Sequence, residues 1–416
     1  MFDVIIRNGQ VALSSNQAQN ADIGIQDGLI TAIEPQIIAE SHQTIDAQNQ
    51  WVSPPFVESH IHLDSVLTAG NPRWNQSGTL FEGIEIWRDY KQTLTLEDVK
   101  TRVIAALKQQ AQQGVLYVRT HADVSEKNLI ALQALLDVRE QVKDWITLQV
   151  VAFPQDGIYG NSRTEALLEE SLKLGADVVG GIPHYEMTRE DGVKSVHRIF
   201  ELAQKYNRLI DIHCDEIDDE QSRFLEVVAA CAIRSDYGDR TTASHTTAFA
   251  SYNNAYALKL MGLLKRSAIN FVSNPLINIT LQGRTDTYPK RRGITRVKEL
   301  WQAGLNVSLG HDCIQDPWYS LGTGNLLEVA NMAVHGCQMT GMDEIRACYE
   351  MVTWNGANTL NIQDYGLKVG NPANVIVLDG DNPYDIIRRR SSVRAVLSGG
   401  RLIATTHPAQ VQWLLE

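Results

Sequence analysis

Between the two ends of this chain, apolar runs of strand length alternate about eight times with segments of helical periodicity, and this order restricts the fold more than any other feature. It predicts a parallel sheet with covering helices, because each parallel strand pair needs a long return connection. The runs end near His62, His121, Phe153, Pro183, His213, His245, Asn274 and Asp312. Amphipathic segments lie between them, among them Leu96 to Gln113, Glu126 to Val142, Val193 to Tyr206 and Ser222 to Arg234. Thr95, with Asp98 three residues on, predicts a capped helix start. An α/β fold, the (β/α)8 TIM-like barrel, is the economical reading, and such barrels carry their chemistry at the carboxyl ends of the strands. Nearly every run here ends in His, Asp, Asn or Gln, which packing alone does not require.

The two ends have a different texture. Residues 1–53 and 367–416 alternate short apolar runs with turn residues, as in Asp3–Gly9, Ala21–Gly28, Ala373–Leu378 and Val393–Gly400. Asn8-Gly9 and Asp27-Gly28 predict hairpin turns, and the two ends are expected to pair into one small β-sandwich domain beside a barrel spanning 54–366. A formal net charge of -12 opposes an electrostatic grip on nucleic acid or an acidic membrane. Lys290-Arg291-Arg292 and Arg388-Arg389-Arg390 are short and read as local ion-pair sites. No apolar run reaches the ~20 residues that cross a bilayer, and the start lacks a signal-peptide pattern, so a cytoplasmic location is expected. The five scattered cysteines, without a Cys-x-x-Cys, suit a reducing compartment.

Alternate residues of a strand point the same way, so His60 and His62 in Glu58-Ser59-His60-Ile61-His62-Leu63-Asp64 can grip one metal ion together. His213 ends the fifth run and supplies a third imidazole, with Glu216 three residues on as a proton-carrying carboxylate. Asp218, Asp219 and Glu220 beyond it read as a solvated acidic loop. His245 ends the sixth run, where it can contact bound water, act as a further ligand or be a satisfied core histidine. Asp312 ends the eighth and can both bind the ion and take a proton from water. The fourth run, Gly180-Gly181-Ile182-Pro183-His184, offers no lysine for a bridging carbamate, so one metal is expected. Such an ion lowers the pKa of bound water from about 16 toward 7, producing a hydroxide nucleophile.

Several stretches together resemble the bacterial cytosine deaminases of the amidohydrolase superfamily. They are Pro54–Asp64, Asn75–Gly83, Val151–Gln155, His213–Glu220, Leu281–Arg284 and Asp316–Tyr319. The resemblance implies His60, His62, His213 and Asp312 as ligands of Zn2+ or Fe2+, Glu216 as proton shuttle and His245 as partner of the hydroxide. It also implies that Gln155 reads the oxygen-bearing edge of a free pyrimidine while Leu80, Phe153 and Trp318 wall the ring, in an assembly of identical subunits. One departure stands out: cytosine-directed members usually carry a second aspartate directly after the metal-binding one, and this chain has Cys313. A compact thiol there makes room for a methyl group at the pyrimidine C5. Deamination of 5-methylcytosine to thymine, ahead of cytosine to uracil, is therefore expected. Competing readings are an ordinary cytosine deaminase, a deaminase of isoguanine or another aminated heterocycle, a cyclic amide hydrolase, and a base-binding protein without turnover. Ring opening yields an acid and no ammonia, and a mere binder has no use for Glu216.

Overall fold

The structure, a computed structural model, describes residues 1–407, 409 and 412–414. The chain opens with β1 (Phe2–Ala12), β2 (Ala18–Gln26), β3 (Leu29–Glu34), β4 (Ser41–Asp46) and β5 (Trp51–Ser53). Eight strands of the barrel follow: β6 (Phe56–Ile61), β7 (Val115–Asp123), β8 (Thr147–Phe153), β9 (Val178–Gly181), β10 (Leu209–Cys214), β11 (Thr241–His245), β12 (Asn270–Ser273) and β13 (Val307–Leu309). The chain then returns to the first sheet with β14 (Val375–Leu378), β15 (Val393–Ser398) and β16 (Arg401–Thr405).

Strands β6 to β13 pair in sequence order and in parallel, as the alternation predicts. The ring closes through Ile61 and Asp312. His62 N–H donates to the Asp312 carbonyl at 2.8 Å, and Asp312 N–H to the His60 carbonyl at 2.8 Å. The seam of the barrel is thus made by the same residues that the sequence marks as candidate metal ligands. The fold is a TIM-like (β/α)8 barrel with a separate sheet built from the two ends of the chain.

Local signals set the helix ends to within a turn or so. Thr95 Oγ1 accepts from Asp98 N–H at the start of helix Leu96–Gln112. The Asp98 carboxylate does not reach back, because Arg102 holds it. Helix Arg189–Tyr206 begins a turn earlier than its apolar stripe, with Thr188 capping Asp191 N–H. Helix Ile130–Val142 begins later than expected, since Leu129 adopts a left-handed conformation with φ of 51°. Helix Leu80–Lys91 is inserted in the long loop after β6 and stands at the barrel mouth.

The end-derived sheet runs β16-β15-β14-β5-β1-β2-β3, with β4 also on β1. It encloses its own apolar cluster, including Val4, Ile6, Ile23, Ile25, Val375 and Leu397. Asp27-Gly28 does form the hairpin turn between β2 and β3. Asn8-Gly9 does not: β1 continues through it, and the pair is a β-bulge. The bulge is held from outside its own strand. Asp22 accepts from Asn8 N–H at 2.9 Å, Asp46 accepts from the Asn8 amide at 3.0 Å, and a side chain on Gly9 would meet Val52. Both basic runs lie in local ion pairs, Arg291 with Asp286 and both Arg388 and Arg389 with Asp385. Among the described residues no helix is long and apolar enough to cross a membrane.

Candidate active site

His60 and His62 project from the end of β6, His213 from β10, His245 from β11 and Asp312 from just after β13. The donor atoms of His60, His62 and His213 lie within 4.8 Å of one another, as do those of His60, His245 and Asp312. His62 Nε2 is 3.0 Å from His213 Nε2. Asp312 Oδ1 lies 3.7 Å from both His60 Nε2 and His62 Nε2. On the other side of that carboxylate, Oδ2 is 3.7 Å from His245 Nε2, and His245 Nδ1 is 3.2 Å from Glu216 Oε1. All are buried. His245 and Asp312 hold left-handed backbone conformations, φ of 67° and 70°, which a non-glycine residue adopts only where its surroundings enforce it.

Burial pushes His62 down to about 4 and His60, His213 and His245 well below the ordinary histidine range. The imidazoles are therefore neutral, the form that binds metals. Burial raises Glu216 to about 8, and burial followed by the neighbouring Glu216 carboxylate lifts Asp312 well above its ordinary value. His60 Nε2 and His213 Nδ1 are buried without a hydrogen-bond partner among the described residues. Such orphans carry a cost unless something satisfies them. One cation held by His60 Nε2, His62 Nε2, His213 Nε2 and Asp312 would satisfy His60 Nε2, and the donor set fits it.

Above the cluster opens a narrow cleft. His62, His213, Glu216 and Asp312 form its floor, and Gln155 faces it from the loop after β8. The Gln155 side-chain amide has no hydrogen-bond partner among the described residues and is free to pair with a ligand edge. Leu80, Cys313 and Trp318 line its walls. Phe153 does not: it lies behind the cluster, stacked on His213 with centroids 4.1 Å apart. Because β8 ends on that residue with its side chain turned inward, it supports a candidate ligand rather than the ring of a substrate. Ile277 and Leu281, from helix Pro275–Leu281, complete an apolar wall with Cys313. Burial, then Asp312 and Asp316, raises the Cys313 thiol well above its usual value, so it is an uncharged surface and no nucleophile.

The amidohydrolase family model matches residues 43–404. This chain belongs to the amidohydrolase family. Members are metal-dependent, and this amidohydrolase presents a cluster of His and Asp side chains suited to the ion. Its structure is similar to that of 5-methylcytosine deaminase from Klebsiella pneumoniae liganded with phosphonocytosine. Identity is 48%, coverage 98% of this chain and 100% of the other, and the TM-score 0.95. The same enzyme liganded with 5-fluorocytosine matches at 47% identity, with 98% and 99% covered and a TM-score of 0.95. N-isopropylammelide isopropyl amidohydrolase of Pseudomonas sp. (strain ADP) is 32% identical over 409 residues, 97% of each chain.

Several residues of the amidohydrolase site escaped the sequence reading. His121 lies two residues before the end of β7 and packs against the rings of both His60 and His62, at centroid distances of 4.1 and 4.9 Å. Its place near a strand end was the available signal. Asn278 faces His245, with its amide nitrogen 3.0 Å from Nδ1. Asp215 adopts a left-handed turn and accepts from Ser222 Oγ, Phe224 N–H and Leu225 N–H. It thereby anchors the next helix and turns Glu216 into the cleft. Asp218 is no solvated loop residue: it accepts from Gly283 N–H at 2.8 Å and faces Arg291, tying down the loop that follows helix Pro275–Leu281.

Proposed function

We propose that this amidohydrolase hydrolyses the exocyclic amine of a free pyrimidine base, converting 5-methylcytosine to thymine and ammonia in preference to cytosine to uracil. The observation that carries the reading is the apolar wall of Cys313, Ile277 and Leu281 standing beside the Glu216, His245 and Asp312 side chains in one cleft. Likeness over almost the whole chain to a 5-methylcytosine deaminase supports the same substrate.

His60, His62, His213 and Asp312 are the residues that would hold one divalent ion, zinc or iron(II). Such an ion supplies Lewis-acid activation of water at neutral pH. Asp312 and His245 flank the place where that water must lie and are poised to orient it and accept its proton. Glu216, held protonated by burial, gives its proton to the ring nitrogen, receives the water's first proton by way of Asp312 or His245 and passes it to the departing amine, and is recharged by the second water proton, which leaves the carbon-bound hydroxyl as the C=O forms and the C–N bond breaks. Gln155 offers N–H and C=O side by side to the ring's oxygen-bearing edge. Leu80 and Trp318 cover the ring faces, and Cys313 receives the 5-methyl group.

An ammonia-release assay on metal-loaded protein with 5-methylcytosine, cytosine and isoguanine tests the reading. Expected is release from 5-methylcytosine with formation of thymine. Product acids without ammonia, or tight binding of the base without turnover, would overturn it.

A further inference from the structure

Beneath the candidate metal ligands, the barrel interior contains a fully buried ion pair that the proposed chemistry does not use. Asp211 lies on β10 two residues before His213, and Arg119 on β7 two residues before His121. Arg119 Nη1 donates to Asp211 Oδ2 at 3.1 Å and to Thr242 Oγ1 at 3.1 Å. Its Nε donates to Gln149 Oε1 at 3.1 Å and its Nη2 to the Thr359 carbonyl at 2.8 Å. Neither Arg119 nor Asp211 exposes any side-chain surface. A paired charge at this depth holds its partners in one geometry, since breaking the pair leaves the other charge uncompensated.

The second Asp211 oxygen leads to the metal position. Ser244 Oγ donates to Asp211 Oδ1 at 2.6 Å, and the same Oγ is 3.1 Å from His60 Nδ1. A hydroxyl has one proton to give. Ser244 gives it to Asp211, so toward His60 its oxygen can only accept, and Nδ1 must carry the hydrogen. That leaves the lone pair on Nε2, the buried nitrogen without a protein partner. Strand register produces the alignment: Asp211 pairs with Thr242 and His213 with Ser244 across β10 and β11, and the period of two turns Asp211 and Ser244 into the same interior.

We propose that Ser244, oriented by the buried Asp211 and Arg119 pair, fixes the tautomer and ring orientation of His60 and so sets its Nε2 as a metal donor. The three are positioning residues, and the inference rests on His60 being a ligand. Outer partners of ligating histidines commonly account for 10- to 100-fold in metal affinity. Ser244→Ala removes one oxygen and leaves the ion pair intact, while Ser244→Thr keeps the hydroxyl.

The test is zinc affinity measured on the purified full chain by competition with a chromophoric chelator, with the visible spectrum of the cobalt-substituted protein as a second readout. Expected for Ser244→Ala is a zinc Kd raised about 10- to 100-fold with an altered cobalt spectrum, and for Ser244→Thr a Kd within about threefold of the native chain. A native-like Kd in Ser244→Ala, or an equal loss in Ser244→Thr, overturns the inference. His60→Ala separates the two levels. If it binds zinc as tightly as the native chain, the ligand assignment fails and the tautomer inference with it. If it loses zinc while Ser244→Ala does not, only the role of Ser244 is overturned.

Discussion

Cys313→Asp is the substitution that addresses substrate choice most directly. The thiol is 3% exposed and packs with Ile277 and Leu281, against Leu80, Trp318 and Tyr319. Seating one methyl group against that surface removes apolar area worth about 0.8 kcal/mol. Discrimination by a packed pocket over one such group reaches about 1–3 kcal/mol. Aspartate at this position lands next to Asp312 and within reach of Asp316, both already pushed up by burial. It must take up a proton or draw in water, and either choice occupies the room for the methyl. The ratio of kcat/KM for 5-methylcytosine over cytosine is therefore expected to fall by about 5- to 150-fold, since 1.4 kcal/mol is a factor of ten. Steady-state ammonia release on both bases, from one preparation of each protein, measures it, and any loss of folded material cancels in the ratio. A ratio unchanged within about twofold would refute the assignment of Cys313 to the methyl position.

Glu216→Gln keeps the shape of the side chain but cannot shuttle protons, so kcat should fall by about 100- to 10,000-fold while metal content stays native; near-native turnover would remove Glu216 from the mechanism. Metal removal should make stability pH-dependent in a defined sense. Burial keeps Glu58 and Glu216 protonated to about pH 8 in the folded, metal-free chain, against an ordinary value of 4.5 when unfolded. The unfolded state then binds fewer protons, and stability falls as pH rises toward 8. Above about pH 7.5 the histidines are largely neutral in both states and drop out. Unfolding midpoints of chelator-treated protein should decline from pH 7.5 to 8.5 more steeply than those of metal-loaded protein, and a rise would contradict the burial argument. Gly83→Ala should raise KM about tenfold, because a methyl there collides with the Trp318 indole and forces that wall into the cleft; an unchanged KM would show that Trp318 does not bound the substrate.

Local and periodic properties were legible in the residues themselves. The alternation of apolar runs with amphipathic helices determines a parallel barrel because each signal acts within ten or twenty residues. His60, His62, His213, His245 and Asp312 stood out because each lies at or just beyond the end of such a run, where a barrel gathers its chemistry. Other features depend on neighbours far along the chain. Asn8-Gly9 reads as a turn until Asp22, Asp46 and Val52 make it a bulge. Phe153 reads as a wall until the inward turn at the end of β8 places it behind His213. Ile277 and Leu281 enter the site only because helix Pro275–Leu281 folds over the mouth, and Arg119 meets Asp211 across 92 residues. Sequence alone therefore determined which side chains arrive at the barrel mouth. Only the tertiary structure decided what each one touches there, because hydrogen-bond direction, burial and close packing are set by groups that share no sequence neighbourhood.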